Sequence, residues 1–252
     1  MLYINADDWG ASETTTNLIQ ECIDRNVVDS ISAMVFMNDS ERAADKVLSS
    51  GLAAALHINF TTPFNGYSGA GRLIESQQKI VNYLRSSKIA PYIYNPLLKN
   101  EFEYVFNAQC EEYFKLYQCV PGRIDGHNHM HLCANMLISD LLPHNIWVRR
   151  NNSFFKGEKN KLNKGYRFMI DKLLQKRYLC SDYFFHIQQI SNKTGHNRLE
   201  KLQNIISLSK EYTVELLAHP HQKNDWDYLN CSEFKEAIQE APRGNFDLTL
   251  IV

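Results

Sequence analysis

The chain has 252 residues, 44% hydrophobic and 22% charged, and its 27 basic and 28 acidic side chains leave a formal charge of −1. That balance excludes a disordered, collagen-like or coiled-coil chain, and a chain this long buries about 70–75% of its unfolded surface without a disulfide staple. The lack of net positive charge argues against nucleic acid or an anionic membrane as partner. No apolar run reaches the roughly 18 residues a membrane span needs. The six cysteines form no Cys-x-x-Cys pair, and Met1-Leu2-Tyr3-Ile4-Asn5 lacks the basic and apolar regions of a secretory signal. Both features predict a cytoplasmic protein with reduced thiols.

In chain order, Leu2, Tyr3 and Ile4 open a strand that stops at Asp7-Asp8-Trp9-Gly10. Ser12 is placed to cap a helix carrying Leu18, Ile19, Cys22 and Ile23 at helical spacing. Alternation of Ile31, Ala33, Val35 and Met37 predicts a strand over 29–37, and 41–50 a helix. Residues 52–60 are almost wholly apolar, broken by His57 and, near the end, Asn59, the pattern of a strand buried on both faces. A glycine-containing loop (61–72) precedes helices near 73–86 and 101–117. Then come a short strand at 123–125, a helix at 132–142 and a strand at 147–149. Helix 198–209, strand 213–219, helix 232–240 and strand 246–252 complete the chain. Repeated strand–helix alternation predicts a mostly parallel sheet or barrel in one domain spanning 1–252.

Four polar clusters fall where these strands end: Asp7-Asp8, His57, Asp125-Gly126-His127-Asn128-His129-Met130-His131, and His219-Pro220-His221. In parallel α/β folds ligands and catalytic groups gather at the carboxyl ends of strands, so four such clusters predict one site of carboxylates and imidazoles. Each has a bland alternative. Asp-Asp-Trp-Gly is compatible with a turn, a lone histidine in a strand with a hydrogen-bonded core residue, and His-Pro with a strand stop. Three alternate histidines beside an aspartate point more firmly to a metal. The chemistry implied is that of a mononuclear metal hydrolase with open positions for water and substrate.

The four clusters, read as Asn5-Ala6-Asp7-Asp8-Trp9-Gly10, Leu56-His57-Ile58-Asn59-Phe60-Thr61, Asp125 to His131, and Glu215-Leu216-Leu217-Ala218-His219-Pro220, resemble the signatures of the YdjC-like carbohydrate deacetylases. The resemblance implies an α/β fold of the incomplete or distorted (β/α) barrel type. It also implies one divalent ion, Mg²⁺ or Zn²⁺, and hydrolysis of an N-acetyl group on an amino sugar. Carried over position by position, Asp8, His57 and His127 are the metal ligands. Asp7 is the general base, and His219 protonates the departing amine. Asp125 and Glu215 orient imidazoles, and His129 and His131 line the site. Two departures stand out: Trp9 replaces the usual Phe, and His221 follows Pro220 where a small residue is more usual.

Residues 149–177 hold ten basic and two acidic side chains, +8 in a nearly neutral chain. This segment is either a solvated excursion or, with Arg149 among its contacts, the receiver of an anionic substrate such as a nucleotide- or lipid-diphosphate-linked acetamido sugar. The reading admits a homodimer. Its rivals are a related barrel hydrolase acting on another amide or ester, and a non-catalytic sugar-binding relic.

Overall fold

The computed structural model describes residues 1–246 apart from 51, 70, 156, 159, 160 and 194, and omits the side chains of 161 and 162. The first half runs β1 (Leu2–Trp9), α1 (Glu13–Asp24), β2 (Ser30–Ala33), α2 (Ser40–Ser50), β3 (Ala54–Ile58), α3 (Arg72–Arg85), α4 (Lys99–Tyr117), β4 (Arg123–Gly126) and α5 (Ala134–Ile138). The second half runs β5 (Trp147–Val148), α6 (Lys161–Leu174), β6 (Tyr183–His186), α7 (Gln188–Ser191), α8 (His196–Ser209), β7 (Val214–Ala218), α9 (Lys223–Asn230) and α10 (Ser232–Gln239). The strand order is β5-β4-β3-β2-β1-β7-β6. The pairs β1–β7, β6–β7 and β3–β4 are parallel. Among the described residues, an α/β alternation whose strand order ends on two different strands, β5 and β6, has the topology of an incomplete (β/α) barrel.

Contacts group the chain into two compact units. The first comprises Met1–Asp7, Asn17–Ile31 and the chain from Asn145 onward; the second comprises Asp8–Thr16 and Ser32–His144. In the first, Leu2, Ile4 and Ala6 of β1 lie in register with Val214, Leu216 and Ala218 of β7, all of them buried. Ile205 of α8 and Phe234 of α10 add to this unit's core.

In the second unit every residue of β3 is buried, which explains the apolar run around His57. α4 buries Phe102, Val105, Phe106, Gln109, Tyr113 and Tyr117, a stripe at helical spacing, and its C-cap Gln118 takes a left-handed conformation at φ 57°. Trp9 is fully buried, its indole N–H donating to the Ala43 carbonyl at 3.1 Å. Gly10 must stay glycine. Its φ is +85°, and a Cβ there would lie 3.1 Å from the Met34 carbonyl oxygen.

Ser12 caps α1, its Oγ accepting the Thr15 backbone N–H at 3.2 Å. Ser12→Ala is expected to cost about 1 kcal/mol. That is about 2–4 °C in a thermal melt of a chain this size, and an unchanged melt would show that the cap contributes nothing.

Several expectations change. The strand expected over 29–37 ends at Ala33, because the chain turns away and Phe36 adopts φ 62°. The helix expected over 132–142 shrinks to Ala134–Ile138. It is preceded by a tight turn, His127–Leu132, with Asn128 and His129 at φ 55° and 59°. β6, α6 and α9 were not anticipated. Residues 247–252 of the expected terminal strand lie outside the described residues, and Phe246 is not in a strand.

Candidate active site

In the second unit, Asp8, one residue before the end of β1, is held at φ 70°, a left-handed conformation that Asp tolerates better than most residues. β3 and β4 place His57 and Asp125 opposite one another in register. Asp125 Oδ1 lies 2.7 Å from His57 Nδ1. An ionised carboxylate only accepts, so Nδ1–H is the donor and Nε2 keeps its lone pair. Asp125 Oδ2 also accepts from Ser32 Oγ at 2.7 Å and pairs with Arg123 Nη2 at 3.1 Å. The carboxylate that orients His57 is therefore fixed on both oxygens.

His57 Nε2 lies 3.4 Å from Asp8 Oδ1, and His127 Nδ1 lies 2.9 Å from the same oxygen. The two imidazoles meet edge to face at a centroid distance of 5.7 Å. Ligand atoms of Asp8, His57 and His127 all lie within 4.8 Å of one another. Burial alone would raise the Asp8 carboxyl. The facing His127 and His57 imidazoles override it and hold the group well below the usual carboxylate range. One buried carboxylate and two converging imidazoles suit a divalent cation.

Close packing of the following turn explains how His127 is delivered. A Cβ on Gly126 would come within 2.9 Å of the His131 backbone nitrogen, so only glycine lets the turn fold back on β4. His131 is buried and His129 partly exposed, their rings 6.4 Å apart. Neither belongs to a three-ligand group among the described residues. Asn128 Nδ2 donates to Thr61 Oγ1 at 3.0 Å.

The first unit carries the remaining residues. Arg149, immediately after β5, donates from Nη1 and Nη2 to the two Asp7 oxygens at 2.7 and 2.8 Å, and from Nε to Glu215 Oε1 at 2.7 Å. Asn5 Nδ2 adds a bond to Asp7 Oδ1 at 2.8 Å, and Ser30 Oγ secures Asn5 in turn. Arg149, Asp7 and Glu215 are all buried. Glu215 holds the Arg149 guanidinium, and Arg149 is the internal counter-ion of Asp7 and Glu215. Its neighbour Arg150 is likewise paired, with Asp171 at 2.6 Å.

His219 follows β7. Its backbone N–H donates to Asp225 Oδ2 at 2.9 Å, and its Nδ1 lies 3.9 Å from the same oxygen. Burial pushes the Asp225 carboxyl up to about 6, against the lowering effect of that N–H bond. His221 meets the His219 ring edge-on at 5.6 Å. His186, at the end of β6, stacks on His219. Asp225 and His186 escaped the sequence reading. The one signal for Asp225 was an acidic residue soon after His219-Pro220, where a short helix begins.

The profile of the YdjC-like protein family matches residues 1–243. The chain belongs to the YdjC-like family. It is 24% identical over 251 residues to a carbohydrate deacetylase of Clostridium beijerinckii, covering 96% of this chain and 87% of that protein. It is 27% identical over 139 residues to a chitooligosaccharide deacetylase of Proteus mirabilis, a match to 52% of this chain and half of the relative. A solved Enterococcus faecalis structure, provisionally named for cellobiose-phosphate cleavage, superposes with a TM-score of 0.63 at 21% identity over 95% of this chain and 94% of that one. This last likeness concerns the fold of the YdjC-like chain alone.

Proposed function

We propose that this YdjC-like protein is a metal-dependent hydrolase that removes the N-acetyl group from an acetamido sugar. The observation that carries the reading is the Asp8–His57–His127 triad, buried at Asp8 and His57 and half-buried at His127, with Asp125 fixing the tautomer of His57. The names of the Clostridium and Proteus relatives supply the substrate class. Asp8, His57 and His127 would hold one divalent ion, Mg²⁺ or Zn²⁺. Bound there, it would acidify a water and polarise the acetamide carbonyl.

The chain's own residues manage the protons. Asp7, next to Asp8 in the sequence, accepts the proton of the attacking water on a carboxylate oxygen. As the C–N bond breaks, His219 gives a proton to the amine nitrogen, which then leaves neutral, and acetate is the second product. The six cysteines, all free thiols, support a reducing, cytoplasmic setting.

Acetate release from a panel of N-acetylated mono- and oligosaccharides, with Mg²⁺ or Zn²⁺ restored after chelation, tests the proposal. Release of acetate with the matching free amine, lost on chelation and recovered with metal, is the expected result. Hydrolysis of O-acetyl esters alone would favour the ester-hydrolase rival. No turnover on any acetyl sugar would overturn the reading.

A further inference from the structure

We propose that His186 is a positioning residue for His219, a fixed neutral imidazole plane against which the proton-donating ring is held. The inference rests on His219 being the proton donor. The register of β6 and β7 puts His186 opposite Leu217, two residues before His219, so both imidazoles emerge from the same end of adjacent parallel strands. Their ring centroids are 5.2 Å apart and their planes differ by 25°.

His186 is held from two sides. Gln189 Oε1 accepts its backbone N–H at 2.8 Å, and the Gln188 backbone N–H donates to its Nδ1 at 3.2 Å. Gln189 is itself tied to the Ser153 carbonyl and to Glu158 Oε2, at 3.1 and 2.9 Å. Because Nδ1 accepts an N–H, the ring's proton sits on Nε2. Protonating His186 would require Nδ1 to give up that bond.

The charged and titratable groups around the pair agree with this division of labour. Asp225 lies behind His219 Nδ1, and His221 meets the His219 edge. Burial, then repulsion from His219, pushes the His186 imidazole down to about 4, with Asp7 and Arg149 acting in opposite directions. A proton on this pair of stacked rings is therefore disfavoured at His186. A neutral ring stacked on an imidazolium restricts its rotation without competing for its proton.

The test compares wild type with His186→Ala, His186→Phe, His219→Ala and the His186→Ala/His219→Ala double variant, using N,N′-diacetylchitobiose as acetyl donor. His186→Ala should lower kcat about ten-fold with KM unchanged, the scale of one lost aromatic contact. His186→Phe, which keeps the plane, should restore most of it. In the His219→Ala background, His186→Ala should have no further effect.

Histidine-ring NMR provides a readout that needs no turnover. The His219 ring signals and their pH titration should move in His186→Ala and return toward wild type in His186→Phe. Additive losses in the double variant, a rise in KM alone, or a His219 titration identical in all three proteins would overturn the proposal. If His219→Ala turns over like wild type, the proton-donor reading fails, while the NMR comparison still judges the ring contact.

Discussion

Arg149→Met is expected to destabilise the protein by about 3–5 kcal/mol, because it strands two buried carboxylates without their cation. The guanidinium satisfies both Asp7 oxygens and Glu215 Oε1, and no part of this group reaches solvent appreciably. At about 2–4 °C per kcal/mol for a chain of this size, the melting temperature should fall by roughly 10 °C or more. Arg149→Lys keeps the charge but not the fork, and should fall in between. Thermal melts decide it. A loss below about 1 kcal/mol for Arg149→Met, well short of a broken buried pair, would show that water reaches the carboxylates.

Asp7→Asn is expected to cut turnover by about 10²–10⁴-fold, the contribution of a general base, while metal content stays unchanged. The amide cannot accept the water's proton. The structural penalty should be smaller than for Arg149→Met, because Arg149 keeps Glu215 and the amide oxygen can still accept from one guanidinium N–H. Low turnover in a variant that melts near wild type would separate the chemical role of Asp7 from its structural one. Full activity in purified Asp7→Asn would remove Asp7 as the base.

The sequence showed most clearly what repeats locally. The apolar stripes of α2, α3 and α4 follow helical spacing, and the buried β3 stands out as an unbroken apolar run around His57. The polar clusters at strand ends were visible for the same reason, as charged interruptions where apolar runs stop. Pairing across long separations was hidden. Arg149 meets Asp7 from 142 residues away and Glu215 from 66. In the sequence it sits at the head of a basic run and reads as surface charge. β6 is only four residues, Tyr-Phe-Phe-His, too short to show alternation, so His186 was lost with it. The early end of β2 was invisible because nothing in the side chain of Phe36 announces a left-handed residue. α9 begins Lys-Asn-Asp, a polar opening that reads as a loop, which concealed Asp225.

In the proposed chemistry Asp8, His57 and His127 form a single metal site. Calorimetric titration of the chelated protein with Zn²⁺ and Mg²⁺, alongside elemental analysis of the reloaded protein, tests this most directly. One ion per chain is expected in wild type and in Asp7→Asn, and none at that site in His57→Ala, which removes a ligand that Asp125 already orients. Binding of one equivalent by His57→Ala with wild-type affinity would contradict the account.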